Sequence, residues 1–397
     1  MQLTSVNVQS PVCRMWYYCW ERLLTVCKQN FERRMSDAGE YQFLRTRHIK
    51  FLRRCLQVLP HSAVTFDTSR MTVLFFALSG LDLLDGLDEV DDTERRDIIN
   101  WIYSLQILPG DDKDQMANAG FRGGTSLAGC RGTSDYTSNI SFDCGHITMT
   151  YTALASLIIL GDDLTRVNRK AVLAHVAALQ CQDGSFYSTR GGSENDMRFM
   201  YCAATICFIL QDFSAININT AVQYIVNSMS YEGAMGQGIY LEAHGGSSYC
   251  AVATLHLMGK LDLALSDMQK QRLMRWLVGR QIGGGLQGRP NKPPDTCYTF
   301  WIGASLKLLG GLNYLDLEAL RQFVLSTQDP ITGGLAKYPD SHPDGLHTYL
   351  GISGLSLLNR DNLRPVDPAL NISQRALKHL HTLHKSTTEN SKSSNYL

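Results

Sequence analysis

The sequence predicts an all-α protein, a closed α/α barrel or toroid of about six helical hairpins with repeats of roughly 50 residues. Glycine-led turns recur at a fixed interval. Gly184-Ser185-Phe186, Gly233-Ala234-Met235, Gly284-Gly285-Leu286 and Gly333-Gly334-Leu335 are spaced by 49, 51 and 49 residues. Such a period means stacked supersecondary units. Each turn is followed by an apolar helix rich in small residues: Tyr201-Cys202-Ala203-Ala204, Tyr249-Cys250-Ala251-Val252, Tyr298-Thr299-Phe300-Trp301 and Tyr349-Leu350-Gly351-Ile352. A second, more amphipathic helix then leads to the next turn, as over Asp267 to Val278, and strand-like alternation is almost absent. A helix apolar nearly all round, paired with an amphipathic one, fits an inner ring wrapped by an outer ring. An open solenoid of hairpins fits the same pattern.

Residues 1–34 form an atypical N-terminal extension. They hold aromatics, three cysteines and a small basic excess, and Glu21-Arg22 interrupts the apolar run Met15 to Cys27, which fits a secretory signal poorly. Met35 opens an ordinary-looking start. Helices are expected at about 40–57, 69–86 and 93–106. Gly120-Phe121 begins an early copy of the repeat, lengthened by a Gly/Thr/Ser-rich loop near 123–140. The barrel domain is expected over 35–383. The Ser/Thr/Asn/Lys-rich stretch 384–397 is expected to be a disordered tail.

A chain of 397 residues that is 44% hydrophobic can bury a large core. Its formal net charge of zero gives no sign of a nucleic-acid partner. The eleven cysteines are scattered, odd in number and without a CxxC pair, which implies a reducing, cytoplasmic setting and no disulfide framework. No apolar stretch reaches the length of a membrane span.

The chemistry concentrates at one repeat position. Some 11 to 14 residues after each glycine turn stands a polar residue at the start of an inner helix: Asp196 and Arg198, His244, Asp295 and Cys297, Asp344 and His347. Parallel inner helices would gather these residues at one mouth, where helix N-termini favour an anion. Asp295, Cys297 and His347 make a three-ligand zinc set with an open fourth position, the mark of a catalytic site. Arg289 and Lys292 lie just upstream, where they would hold an anionic leaving group. Taken singly, Asp295 reads as a helix N-cap, Cys297 as core, His347 as a hydrogen-bonded helix start, and Arg289 and Lys292 as a solvated turn. The acidic cluster Asp82, Asp85, Asp88, Glu89, Asp91 and Asp92 is irregularly spaced and reads as a solvated helix end and loop.

At these residues the chain resembles the β subunits of protein prenyltransferases, over residues 40 to 375. The matching features are the glycine-led repeats, Gly288-Arg289-Pro290-Asn291-Lys292-Pro293 followed by Asp295-Thr296-Cys297-Tyr298, and the helix His347 to Leu357. Within the family it is most similar to the geranylgeranyl-transferring type I branch, on Glu194 to Phe199, Ser341-His342-Pro343-Asp344 and Lys337. The resemblance implies zinc on Asp295, Cys297 and His347. It implies a diphosphate held by His244, Arg289, Lys292, Tyr298 and Lys337, with Lys337 replacing a magnesium ion. Arg198 and Trp301 would line the isoprenoid pocket, and Thr72 and Phe76 would set its depth, a small Thr72 leaving room for a twenty-carbon chain.

By the same resemblance the chain pairs with an α subunit. It transfers a geranylgeranyl group to the cysteine of C-terminal Cys-a-a-X tails of proteins such as small GTPases, X being leucine by preference. A farnesyl or Rab-type enzyme is the nearest alternative. A terpene-cyclase barrel lacks support, because no DxDD-type motif is present. A non-catalytic helical scaffold would use the histidines and cysteines as core.

Overall fold

The computed structural model describes residues 41–109, 116–127, 144–192 and 194–393. The extension 1–34 and most of the segment 123–142 lie outside the described residues. Thirteen α-helices longer than one turn organise the rest. Six are outer helices: α1 (Arg45–Leu56), α3 (Asp92–Ser104), α5 (Arg169–Leu179), α7 (Ile218–Asn227), α9 (Asp267–Val278) and α11 (Leu317–Leu325). Six are inner: α2 (Arg70–Leu83), α4 (Ile147–Leu160), α6 (Met197–Ile209), α8 (Gly245–Leu257), α10 (Tyr298–Leu308) and α12 (Gly345–Leu357). The last, α13 (Gln374–Ser393), follows the hairpins. Each inner helix packs on the next, and α12 packs back on α2, so the ring is closed and the open solenoid is set aside.

The inner helices are helical because burial on all sides rewards an uninterrupted apolar surface. In α4 every residue but Thr148 is buried. Small residues let these helices approach closely; a Cβ on Gly354 would lie 2.5 Å from the Thr299 side chain. The outer helices are amphipathic and end on ordinary caps. Ser266 and Gln269 form a capping box on α9, and Asp91 accepts from Thr93 and Glu94 N–H on α3.

The 50-residue period has a mechanical cause. Each glycine turn lies against the outer helix of the following repeat. Gly184 has φ +95°, and a Cβ there would fall 2.1 Å from the carbonyl oxygen of Thr220, on α7. Gly333 does the same against Arg47 of α1, so the last turn docks on the first outer helix. A second register comes from the inner helices. Met71, Ile147, Met197, Gly245 and Thr296 donate their N–H to Gly123, Ser188, Gln237, Gly288 and Lys337 oxygens, at 2.8, 2.9, 3.0, 2.7 and 3.1 Å. Helix-start donors that lack intrahelical partners are thus satisfied by the next repeat.

The opposite end of the barrel is closed by residues 364–375. The Tyr349 and Tyr249 hydroxyls donate to Asn371 and Ala369 oxygens at 2.5 and 3.3 Å. Asp82, expected to be solvated, is fully buried. It accepts from Arg364 at 2.7 Å, from Arg375 at 2.8 and 3.0 Å and from Ser373 at 2.5 Å. A buried carboxylate needs such partners, and they come from the far end of the chain. The last helix, α13, runs past residue 383 to Ser393. Once nucleated against the barrel, a helix propagates into a polar stretch at low cost.

Candidate active site at the barrel mouth

The helix starts converge on one mouth, and their caps are the predicted polar residues. Asp196 caps α6, accepting from Arg198 N–H. His244 caps α8 through Nδ1, which accepts from Gly246 and Ser247 N–H at 3.1 and 3.4 Å. Asp344 caps α12, accepting from His347 N–H at 2.9 Å. Cys297 stands at the N-cap of α10, and its N–H donates to Asp295 Oδ1 at 3.0 Å. That bond aims both side chains of Asp295-Thr296-Cys297 to the same place.

The structure brings together Asp295, Cys297 and His347. One ligand atom from each lies within 4.8 Å of the others, and among the described residues no other group of His, Cys, Asp or Glu does so. His347 Nε2 is 3.3 Å from Asp295 Oδ1. Ligand bonds of about 2.0–2.3 Å give a tetrahedral edge near 3.4 Å, so this pair fits zinc. His347 Nδ1–H donates to Asp344 Oδ2 at 2.6 Å, which turns Nε2 toward Asp295. Asp295 and Cys297 are only 6% and 7% exposed. Burial pushes the Cys297 thiol up, and the Asp295 charge pushes it further, so an adjacent cation is needed to ionise it. Burial opposes a charge on His347, but the bonds to Asp295 and Asp344 outweigh it and raise the pKa to about 9.

Beside this cluster is a field of positive charge and hydroxyl groups. Lys337 Nζ lies 3.7 Å from Asp295 Oδ2 and its side chain is 46% exposed. The Tyr298 hydroxyl is 2.9 Å from His244 Nε2. Burial, then the charge of Arg289, lowers the pKa of His244 and keeps it neutral. Arg289 is ion-paired with the exposed Glu242. Lys292 is exposed in the same turn, with no side-chain partner among the described residues.

Other predicted residues lie further from the cluster. Arg198 is held by Asp196 at 2.6 Å, and Asp196 also accepts from Gln237 at 2.7 Å. Trp301 is half-buried against Tyr249, ring centroids 5.0 Å apart. Thr72 and Phe76 share a face of α2. The Thr72 hydroxyl is 3.4 Å from Met149 Sδ, and Phe76 stacks on Tyr349 at 5.5 Å. Phe75, Tyr151, Tyr201, Tyr249, Phe300 and Tyr349 continue this aromatic wall from repeat to repeat.

One mouth residue escaped the sequence reading. His146 caps α4, its Nδ1 accepting from Thr148 N–H at 3.1 Å. Burial lowers its pKa to about 4. The signal was present: His146, Asp196 and His244 follow one another at the repeat interval.

An α/α toroid whose inner helix starts bring an aspartate, a cysteine and a histidine together beside a cationic rim defines a class. Residues 43–372 match the family described as "Prenyltransferase alpha-alpha toroid domain", and the chain belongs to that enzyme family. Within it, the chain is similar to "Geranylgeranyl transferase type-1 subunit beta" of Dictyostelium discoideum, 42% identical over 335 residues, 82% of this chain and 94% of the relative. The Arabidopsis thaliana protein of the same name is 37% identical over 347 residues, 85% and 91% of the two chains. Among solved structures, "Candida albicans protein geranylgeranyltransferase-I complexed with GGPP" superposes with a TM-score of 0.76 at 26% identity, covering 86% of this chain and 99% of that one. No helix among the described residues is long and apolar enough to cross a membrane.

Proposed function

We propose that this chain is the catalytic β subunit of a zinc-dependent protein geranylgeranyltransferase. With an α subunit, it transfers the twenty-carbon group of geranylgeranyl diphosphate to the cysteine of a C-terminal Cys-a-a-X tail, X being leucine by preference. The observation that carries this is the Asp295–Cys297–His347 cluster beside Lys337. Zinc held by those three residues would supply an open position at which an acceptor thiol binds as thiolate.

The acceptor sulfur bonds to C1 of the donor, the C1–O bond breaks, and its electron pair leaves with the diphosphate. His244, Arg289, Lys292, Lys337 and the Tyr298 hydroxyl are placed to take up that charge. Losing one such contact costs about 100–1000-fold in rate. Lys337 is a fixed cation, so magnesium is not required. The aromatic wall from Phe76 to Trp301 holds the lipid by burial worth about 0.8 kcal/mol per CH₂, and Thr72 leaves room for the longer chain. Cytoplasmic localisation accords with the free thiols of the described cysteines.

The test is co-expression with an α subunit, followed by zinc analysis and transfer assays with fifteen- and twenty-carbon donors, with and without magnesium. Stoichiometric zinc, preference for the longer donor and indifference to magnesium are expected. Transfer that persists in metal-free Cys297→Ala would overturn the mechanism; preference for the shorter donor would select the farnesyl reading.

A further inference from the structure

Five residues offer their carbonyl to the N–H at the start of an inner helix. Ser188, Gln237 and Lys337 carry side chains at this position, whereas Gly123, packed against Thr68, and Gly288 do not. At Gly288 the reason for having none is Tyr298. A Cβ on Gly288 would lie 2.1 Å from Tyr298 Cζ and 2.3 Å from its hydroxyl oxygen. The Tyr298 ring also touches a second glycine, with a Cβ on Gly245 falling 3.3 Å from Cδ1. The two glycines are joined by Gly245 N–H donating to the Gly288 oxygen at 2.7 Å. The ring therefore lies in a slot walled by backbone from two repeats. At the end of the slot its hydroxyl meets His244 Nε2.

The direction of that last bond follows from the cap. His244 Nδ1 accepts from the Gly246 and Ser247 N–H groups at the start of α8, so the proton of the neutral ring is on Nε2. Nε2–H then donates to the Tyr298 oxygen. The Tyr298 proton is left to point away from His244.

We propose that the Gly245–Gly288 slot is a positioning device, and that Gly288 acts through Tyr298. The slot fixes the ring, and His244 turns its hydroxyl into a donor aimed at the leaving diphosphate. This rests on the function proposed above. A side chain at 288 should expel the ring and remove that donor while leaving the metal cluster intact.

The experiment uses the αβ complex with Gly288→Ala, Tyr298→Phe and the double variant. The readouts are single-turnover transfer rate, donor affinity, zinc content and melting temperature. Gly288→Ala is expected to slow transfer about 100-fold, as Tyr298→Phe does, and the double variant is expected to be no slower than either. Zinc should stay stoichiometric and donor affinity within a few fold. A wild-type rate for Gly288→Ala, or rate losses that multiply in the double variant, would overturn the proposal. If Gly288→Ala assembles poorly, melting of Gly288→Ala with Tyr298→Leu decides the matter. Recovery to the stability of Tyr298→Leu alone supports a clash with the ring tip, and no recovery refutes it. These melting and zinc readouts need no transfer activity, so failure of the slot is separable from failure of the functional reading, which would show as an inactive wild-type complex.

Discussion

The closure of the ring depends on a histidine, and its consequence can be measured. His48 on α1 is fully buried. Its Nδ1 accepts from Gly334 N–H at 3.0 Å, and its Nε2 pairs with Gln328 Oε1 at 2.9 Å. This joins the first outer helix to the last glycine turn. Both bonds require the neutral ring with its proton on Nε2, because a proton on Nδ1 would face the Gly334 donor. Burial lowers the His48 pKa from 6.5 to about 4.

Between those two values the unfolded or opened state binds more protons than the native one. Stability therefore falls as pH drops from about 6.5 toward 4 and levels off below. Linkage gives a loss of about 2 kcal/mol between pH 7.5 and pH 5, or about 30-fold in the opening equilibrium. Hydrogen exchange of peptides covering 44–56 and 326–336, corrected for the intrinsic rate, reads this opening directly. His48→Asn keeps an acceptor for Gly334 but cannot titrate, so its pH slope should be shallower by that amount. Equal slopes in the two proteins would show that protonation of His48 does not govern the seam.

Three further perturbations test separate parts of the molecule. Asp344→Asn should weaken zinc binding about 10–100-fold in chelator competition, because His347 loses the carboxylate that orients it. Lys337→Ala should slow transfer and make the rate rise with added magnesium; a rate unchanged by the substitution would remove Lys337 from the diphosphate site. Asp82→Asn should cost about 3 kcal/mol in denaturant unfolding, since it leaves Arg364 and Arg375 without their shared buried carboxylate.

The hairpins were legible because the period is enforced locally. Each glycine turn must fit the next outer helix, and each inner helix start must meet the next loop, so spacing survives in the sequence as spacing in the fold. The Asp295–Cys297–His347 cluster was legible for the same reason, since Asp295 and Cys297 stand at the start of one inner helix and His347 at the start of the next. Asp82 was misread because its partners are 282 residues or more away in the chain, and a charge in an irregular acidic stretch carries no mark of them. The slot around Tyr298 was invisible for a different reason. Glycine recurs at this repeat position, at 123 and at 288, and only the packing of Tyr298 against Gly288 shows what the second one is for.

On the proposed function, capping and catalysis at this mouth are the same set of interactions. A helix start must find acceptors for its free N–H groups. Here Asp344 caps α12 with Oδ1 and orients His347 with Oδ2. His244 caps α8 with Nδ1, which leaves Nε2–H for Tyr298. Asp295 accepts the Cys297 N–H with Oδ1, and Lys337 lies beside its Oδ2. In Asp344 and His244 one atom of the side chain is spent on the backbone, which removes the rotational freedom of the other; in Asp295 the Oδ1 that accepts the Cys297 N–H is itself the atom facing His347 Nε2. The functional atoms are therefore as rigid as the helix starts that hold them. A substitution at a cap should lose local helix stability and site geometry together, whereas Lys337, which caps nothing, should lose chemistry alone. Melting temperatures of Asp344→Ala and Lys337→Ala complexes, compared at matched zinc occupancy, separate the two: a fall is expected only for Asp344→Ala, which removes the cap, and an equal fall in both would refute the shared-duty account.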